Sequence, residues 1–168
     1  MIIGLVIGLL AIFTMSASAQ FSIYTFKFDV LIDMDEVDKP TATNNSISVG
    51  LFANDERGKN DEADLIITNT TSKKLQRYKL TDVATLDTST NSITFISRDE
   101  NFSFSFGLLD DNNAAISVFD MKKMKSYVYA AQDDKRKQDN LKTYNTLLEK
   151  AKDNKLYGYE VSKVDLSL

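Results

Sequence analysis

The 168-residue sequence predicts a mainly β domain: an antiparallel β-barrel or sandwich of about eight to nine strands, with one amphipathic helix before the last strand. Three observations predict it. Short segments alternate apolar and polar residues with a period of two; clusters of Asp, Asn, Ser and Thr separate them; and the period switches once, near the C-terminus, to helical spacing.

Taken in order, residues 22–34 put Tyr24, Phe26, Phe28, Val30, Ile32 and Met34 on one face, which makes a long first strand. Asp35 to Asn45 reads as an acidic loop around Pro40, the only proline. Ile47, Val49 and Leu51 alternate with Ser46, Ser48 and Gly50 as a second strand, and residues 64–68 and 75–80 follow as the third and fourth. Residues 81–91 are rich in Thr, Asp and Ser and read as partly looped. Residues 92–97 and 101–108 form a hairpin, with Phe102, Phe104, Phe106 and Leu108 on one face of its second strand. Residues 114–121 and 124–130 make another hairpin.

From Gln132 to Lys155 the pattern changes. Leu141, Tyr144, Leu148 and Ala151, with Leu147 beside them, form a narrow helical stripe suited to lying on a surface. Residues 156–168 close the chain as a ninth strand, with a register shift expected near Ser162–Lys163. This order resembles the lipocalin-like layout, in which eight meandering strands precede a helix and a final strand. The resemblance is topological: the Gly-x-Trp signature of that family has no counterpart in a chain without Trp.

The N-terminus gives the expected address. Residues 1–15 are uniformly apolar, and Ala17 and Ala19 supply the small residues of an A-x-A cleavage pattern before Gln20. The expectation is a cleaved signal peptide over 1–19 and a single β-rich domain over 20–168, exported to a periplasmic or secreted location with no stable membrane span after cleavage. The alternative is an N-terminal membrane anchor, since 19 helical residues reach about 28 Å. Neither Lys nor Arg precedes the apolar run, and no Lys, Arg or Trp flanks it.

Charge and inventory exclude more than they assign. The first 19 residues carry no ionisable side chain, so the net charge of −4 lies on the remainder. A modestly acidic domain does not suit counterion-releasing nucleic-acid binding or attachment to an anionic bilayer. With no histidine and no cysteine, disulfides, imidazole- or thiol-based triads, and zinc, copper or haem sites built on those ligands are impossible. No cofactor, metal ligand or catalytic residue is assigned.

Carboxylates cluster at Asp33–Asp38 and Asp61–Asp64. Their spacing does not fit the EF-hand loop, and solvated loop charge is the expected role, with calcium left open. A glycosidase would need two facing carboxyls, for which Asp29 and Glu160 are candidates if the barrel closes. Tyr24, Phe26, Phe28, Phe102, Phe104 and Phe106 are the candidate ligand-binding rings. Packed core is their first expected role, and an apolar cavity the second. Tyr127, Tyr129, Tyr157 and Tyr159 would stack sugars if exposed.

The function expected from these features is an exported, non-enzymatic binding or accessory protein holding a small hydrophobic ligand. The alternatives are a protein–protein module (inhibitor, immunity factor or surface-assembly component) and, third, a carboxylate-dependent glycosidase.

Overall fold

The alternating segments become strands, and the computed structural model describes residues 20–53, 62–109, 112–154, 156 and 160–167. The chain forms β1 (Gln20–Asp33), β2 (Thr41–Ala53), β3 (Glu62–Asn69), β4 (Lys74–Lys79) and β5 (Val83–Asp87). It continues with β6 (Ser92–Ile96), β7 (Phe102–Leu108), β8 (Ala114–Asp120) and β9 (Lys125–Ala130). Helix α1 (Asp134–Lys152) and β10 (Glu160–Val164) complete it. The fold is mainly β with a single helix before the last strand among the described residues. The N-terminal segment 1–19, with Ala17 and Ala19, lies outside the described residues, while Gln20 is the first residue of β1. Among the described residues no helix is long and apolar enough to cross a membrane.

All ten strands share one sheet, in the order β10-β5-β6-β7-β8-β9-β1-β2-β3-β4. Every strand pair is antiparallel except β10 with β5. The sheet is not closed by a ladder. Its β4 end nevertheless reaches β6: Leu80, just past β4, bridges Ser97, just past β6. Backbone bonds from Thr81 N to Ile96 O and from Arg98 N to Lys79 O, each 2.8 Å, flank that bridge.

Three expectations change. Within residues 81–91, expected to be partly looped, 83–87 form β5, because Ala84 and Leu86 face the core while Val83 and Thr85 face outward. The last strand is short and pairs parallel with β5, and its ladder runs regularly through Ser162 and Lys163. The register shift lies in β1 instead, between Phe28 and Val30. A parallel partner is available to β10 because α1 supplies the long connection that parallel pairing needs.

The core lies on the inward face of this sheet. Phe26, Phe28, Phe95, Phe104 and Phe106 are all buried, as are Ile47, Val49, Leu51 and Leu65. Burying each such side chain contributes roughly 1.5–3 kcal/mol. Helix α1 packs chiefly on β1, with further contacts to β8 and β6, and puts Tyr144, Leu147 and Ala151 into the same core. It begins at Asp133, whose side chain accepts from Arg136 N at 2.9 Å. At the register shift, Asp29 accepts from Gln132 N at 2.7 Å and from Asp133 N at 3.3 Å, fixing where the helix starts. At the other end, Lys163 Nζ donates to Lys152 O at 2.6 Å, a cation on the last turn where the helix dipole favours one.

Candidate functional site

The inward face of β2, β3 and β4 changes character along its length. On β2, buried Leu51, Val49 and Ile47 are followed at the same spacing by Asn45. On β3, Leu65 and Ile67 are followed by Asn69, and on β4 half-buried Tyr78 is preceded by Gln76 and Lys74. The ladder puts Asn45 opposite Asn69, Asn69 opposite Lys74, and Ile67 opposite Gln76. A polar layer therefore continues the apolar core toward one end of the sheet.

That layer lines a concavity of about 640 Å³ together with Tyr129 of β9, and Ile67 and Leu75 add apolar surface. The volume falls within the range of about 300–1,000 Å³ typical of small-molecule sites. Ser72 at the rim is placed by the β3–β4 turn. There Asn69 Oδ1 accepts from Ser72 N at 2.8 Å, and Lys73 turns the chain with a φ of 54°. A second, shallower concavity of about 420 Å³ shares Asn69 and Ser72 and extends along Ala42 and Thr43.

Two groups in the larger concavity carry its chemistry. Asn45 is only 7% exposed, and its Oδ1 accepts no hydrogen bond. Such a group costs about 1–3 kcal/mol when nothing meets it. Beside it, burial raises the Tyr129 phenol above its ordinary pKa, reinforced by Tyr78 and Tyr127, while a hydrogen bond with the Asn45 side chain acts the other way. The Tyr129 ring in turn lies 6.1 Å from the ring of Phe28, so the site is seated directly on the core. Among the described residues no carboxylate lines it, and Lys74 is the one charged side chain that does.

The six aromatic candidates lie elsewhere. Phe26 packs against Phe106 at 5.3 Å between ring centroids, Phe26 stacks with Phe28, and Phe102 and Phe104 both meet Tyr78 at about 5 Å. Tyr24, Phe26, Phe28, Phe104 and Phe106 are buried, and Phe102 is half-buried. These rings fill the interior against one another, and none lines the concavity. Of the four tyrosines considered for sugar stacking, Tyr129 lines it, Tyr127 is half-buried on β9, and Tyr157 and Tyr159 lie outside the described residues.

The carboxylates are engaged with their own neighbours. Burial pushes the Asp64 carboxyl up, but hydrogen bonds and charge from Arg77 and Lys79 outweigh it and hold the group below the ordinary carboxylate range. Side-chain hydrogen bonds from Ser89 and Thr90 bring Asp87 down to about 2. Backbone donation from Lys123 lowers Asp120. Each shift is opposite in direction to that of a glycosidase acid. Asp29 caps the approach to α1, while Glu160 is exposed on β10, with the five strands β5 to β9 between them in the sheet order. In the first acidic cluster Asp33 and Asp35 both pair with Lys125, and Glu36 pairs with Lys39. Among the described residues no three carboxylates stand where they would hold a metal ion.

The sequence marks Asn69 only as a chance Asn-x-Thr sequon, and it does not mark Asn45, Lys74 or Gln76. The available signal was positional: each continues the inward alternation of its strand, where an apolar residue is the rule. No protein-family model matches the chain, and no curated protein sequence or solved structure is significantly similar to it.

Proposed function

We propose that the chain is an exported, non-enzymatic binding protein whose small-molecule ligand occupies the concavity that Asn45 and Tyr129 help to line. One observation carries the reading: the inward faces of β2, β3 and β4 continue past the apolar core as a polar layer of Asn45, Asn69, Gln76 and Lys74 that lines a space of small-molecule size. The absence of His and Cys from the sequence supports a passive role, as does the engagement of the buried carboxylates. Export is supported by the A-x-A pattern of Ala17 and Ala19 and by a strand that starts at Gln20, directly after it. The lipocalin-like reading is supported by the strand order, in which β1 lies between β2 and β9 and the helix precedes the last strand.

Native mass spectrometry of the protein isolated from its own export compartment tests this directly. The expected spectrum is a chain beginning at Gln20 that carries an added small-molecule mass, lost in a Gln76→Ala, Tyr129→Phe double variant. An intact Met1 overturns the cleaved signal. A chain that arrives empty and gains no mass from a metabolite extract overturns the binding role.

A protein-docking role is the second reading. Leu75 favours it, standing 63% exposed on β4, the last strand of the sheet. Cross-linking of the full chain in its own compartment separates the two: a protein linked through the β4 edge favours docking, and a bound small molecule with no linked protein favours the concavity.

A further inference from the structure

β4 presents an open edge, and what that edge can take deepens the docking reading above, a reading on which the inference rests. The bond from Leu80 N to Ala63 O, 2.8 Å, sets the alternation of the strand. Tyr78, Gln76 and Lys74 turn their backbone groups toward β3, while Leu75, Arg77 and Lys79 turn theirs to the opposite side. On that side Lys79 O accepts from Arg98 N at 2.8 Å, so the edge already bonds a neighbouring segment at one end. From Lys74 to Tyr78, among the described residues, no strand pairs with β4 there.

The side chains say what would fit. Leu75 is 63% exposed, at a position where a strand built only to repel neighbours would carry a charge. Lys73 and Lys74 are exposed, and among the described residues no ion pair engages either, whereas Asp64 pairs with both Arg77 and Lys79. A second copy does not fit. Antiparallel pairing of β4 with itself sets Lys73 against Arg77 when centred on Leu75, Lys73 against Lys79 when centred on Gln76, and Arg77 against itself when centred there. An acidic strand meets no such repulsion. On the inward side, the concavity of about 640 Å³ beside Gln76 leaves room for one of its side chains.

We infer that β4 is a strand-addition edge for an extended acidic segment of a partner protein, whose main chain bonds to Leu75 and whose carboxylates are set against Lys73 and Lys74. Hydrogen exchange of the full chain, followed by amide NMR, tests this with three probes. They are a short peptide alternating glutamate and valine, the same peptide with lysine for glutamate, and the acidic peptide N-methylated along one edge. The acidic peptide at millimolar concentration is expected to slow exchange at the Leu75 amide by about tenfold or more, and the lysine peptide to leave it unchanged. N-methylation removes donors that a ladder needs and is expected to abolish the slowing. The exposed double substitution Lys73→Glu, Lys74→Glu is expected to weaken the acidic peptide about three- to tenfold at low salt, and less as salt rises.

Unchanged exchange at Leu75 with every peptide overturns strand addition; a protein cross-linked at another face then keeps the docking reading standing by itself. Equal slowing by the acidic and lysine peptides overturns the acidic class. Exchange that slows as the protein alone is concentrated puts a second copy on the edge and overturns the acidic partner.

Discussion

Asn140 of α1 pairs with both backbone groups of Lys27: its Oδ1 accepts from Lys27 N and its Nδ2 donates to Lys27 O, each at 2.9 Å. β2 flanks β1 on one side at Lys27, but β9 pairs with β1 only from Val30 to Asp33, so among the described residues no strand lies beside Lys27 on its other side. One side chain on the helix takes the place of that strand. This explains how a polar residue only 2% exposed sits in the packed face of a helix, and it shows why α1 docks on β1 in one register.

Asn140→Ala is therefore expected to cost about 2–4 kcal/mol, two hydrogen bonds plus a stranded pair of backbone groups. Asn140→Asp is the sharper test. It removes the donor and sets a carboxylate against the Lys27 carbonyl, which raises the folded pKa of the new group. Its stability should be best below the unfolded carboxyl pKa of about 3.9 and fall as pH rises through the higher folded value. Urea unfolding at pH 3.5 and pH 7 checks this; an Asp variant as stable as wild type at pH 7 refutes the strand-mimic role.

Tyr144 ties the same helix to the far side of the core, its hydroxyl donating to Asn91 O at 2.6 Å. Asn91 turns the chain between β5 and β6 at a φ of 57°. Tyr144→Phe should cost about 1 kcal/mol, the ordinary net value of such a bond. Tyr144→Ala should cost about 3–5 kcal/mol, because the ring is also removed from the core. A Phe variant as damaging as the Ala variant would mean that the bond, and not the ring, secures the helix.

The aromatic rings divide by burial. Phe104 is fully buried and touches Tyr78, so Phe104→Ala is expected to cost about 3–5 kcal/mol. Phe102 is half-buried beside the same tyrosine, and its truncation should cost clearly less. Thermal melts of the two variants side by side check the ordering.

How much of this was legible depends on how local the signal was. β7, β8 and β9 follow from alternation alone, as does the inward placement of Tyr24, Phe26 and Phe28, because each hydrophobic set is contiguous in sequence. β5 escaped because its inward face offers only Ala84 and Leu86 within a run of turn-forming residues. The helix stripe was read from Leu141, but its buried members are Asn140, Tyr144, Leu147 and Ala151. A polar residue in the stripe hides from a search for apolar spacing. The concavity has only a positional signature, polar residues at inward positions of separate strands, since its lining comes from β2, β3, β4 and β9 and is assembled by register.

Asp87 governs part of the acid limb of stability. Its carboxylate accepts from Ser89 and Thr90 and lies near Leu166 N, which joins the β5–β6 turn to the segment after β10. The folded pKa of about 2 lies below the ordinary 3.8, so the folded state binds this proton less readily than the unfolded chain. The stabilisation is present in full above about pH 4 and is lost as pH falls toward 2. Asp87→Asn should lower stability at pH 6 and flatten its dependence between pH 4 and 2. Denaturation midpoints across that window check it, and an unchanged slope refutes the assignment.

Asn45 gives the prediction in which stability and function part company. Its Oδ1 is buried without a partner, so the folded state carries a desolvation cost that an apolar side chain would not. Asn45 also continues the alternation of Ile47, Val49 and Leu51, positions at which the core accepts branched apolar side chains. Asn45→Leu removes that cost together with the hydrogen bond to Tyr129, so the free protein should stay within about 1 kcal/mol of wild type. The same substitution should abolish the proposed ligand binding, because it takes a polar side chain out of the lining of the concavity. A residue held only for packing behaves oppositely, losing stability on replacement and leaving binding unchanged. Melting temperatures measured with and without ligand distinguish the two: wild type should rise on adding ligand, and Asn45→Leu should start close to wild type and not move.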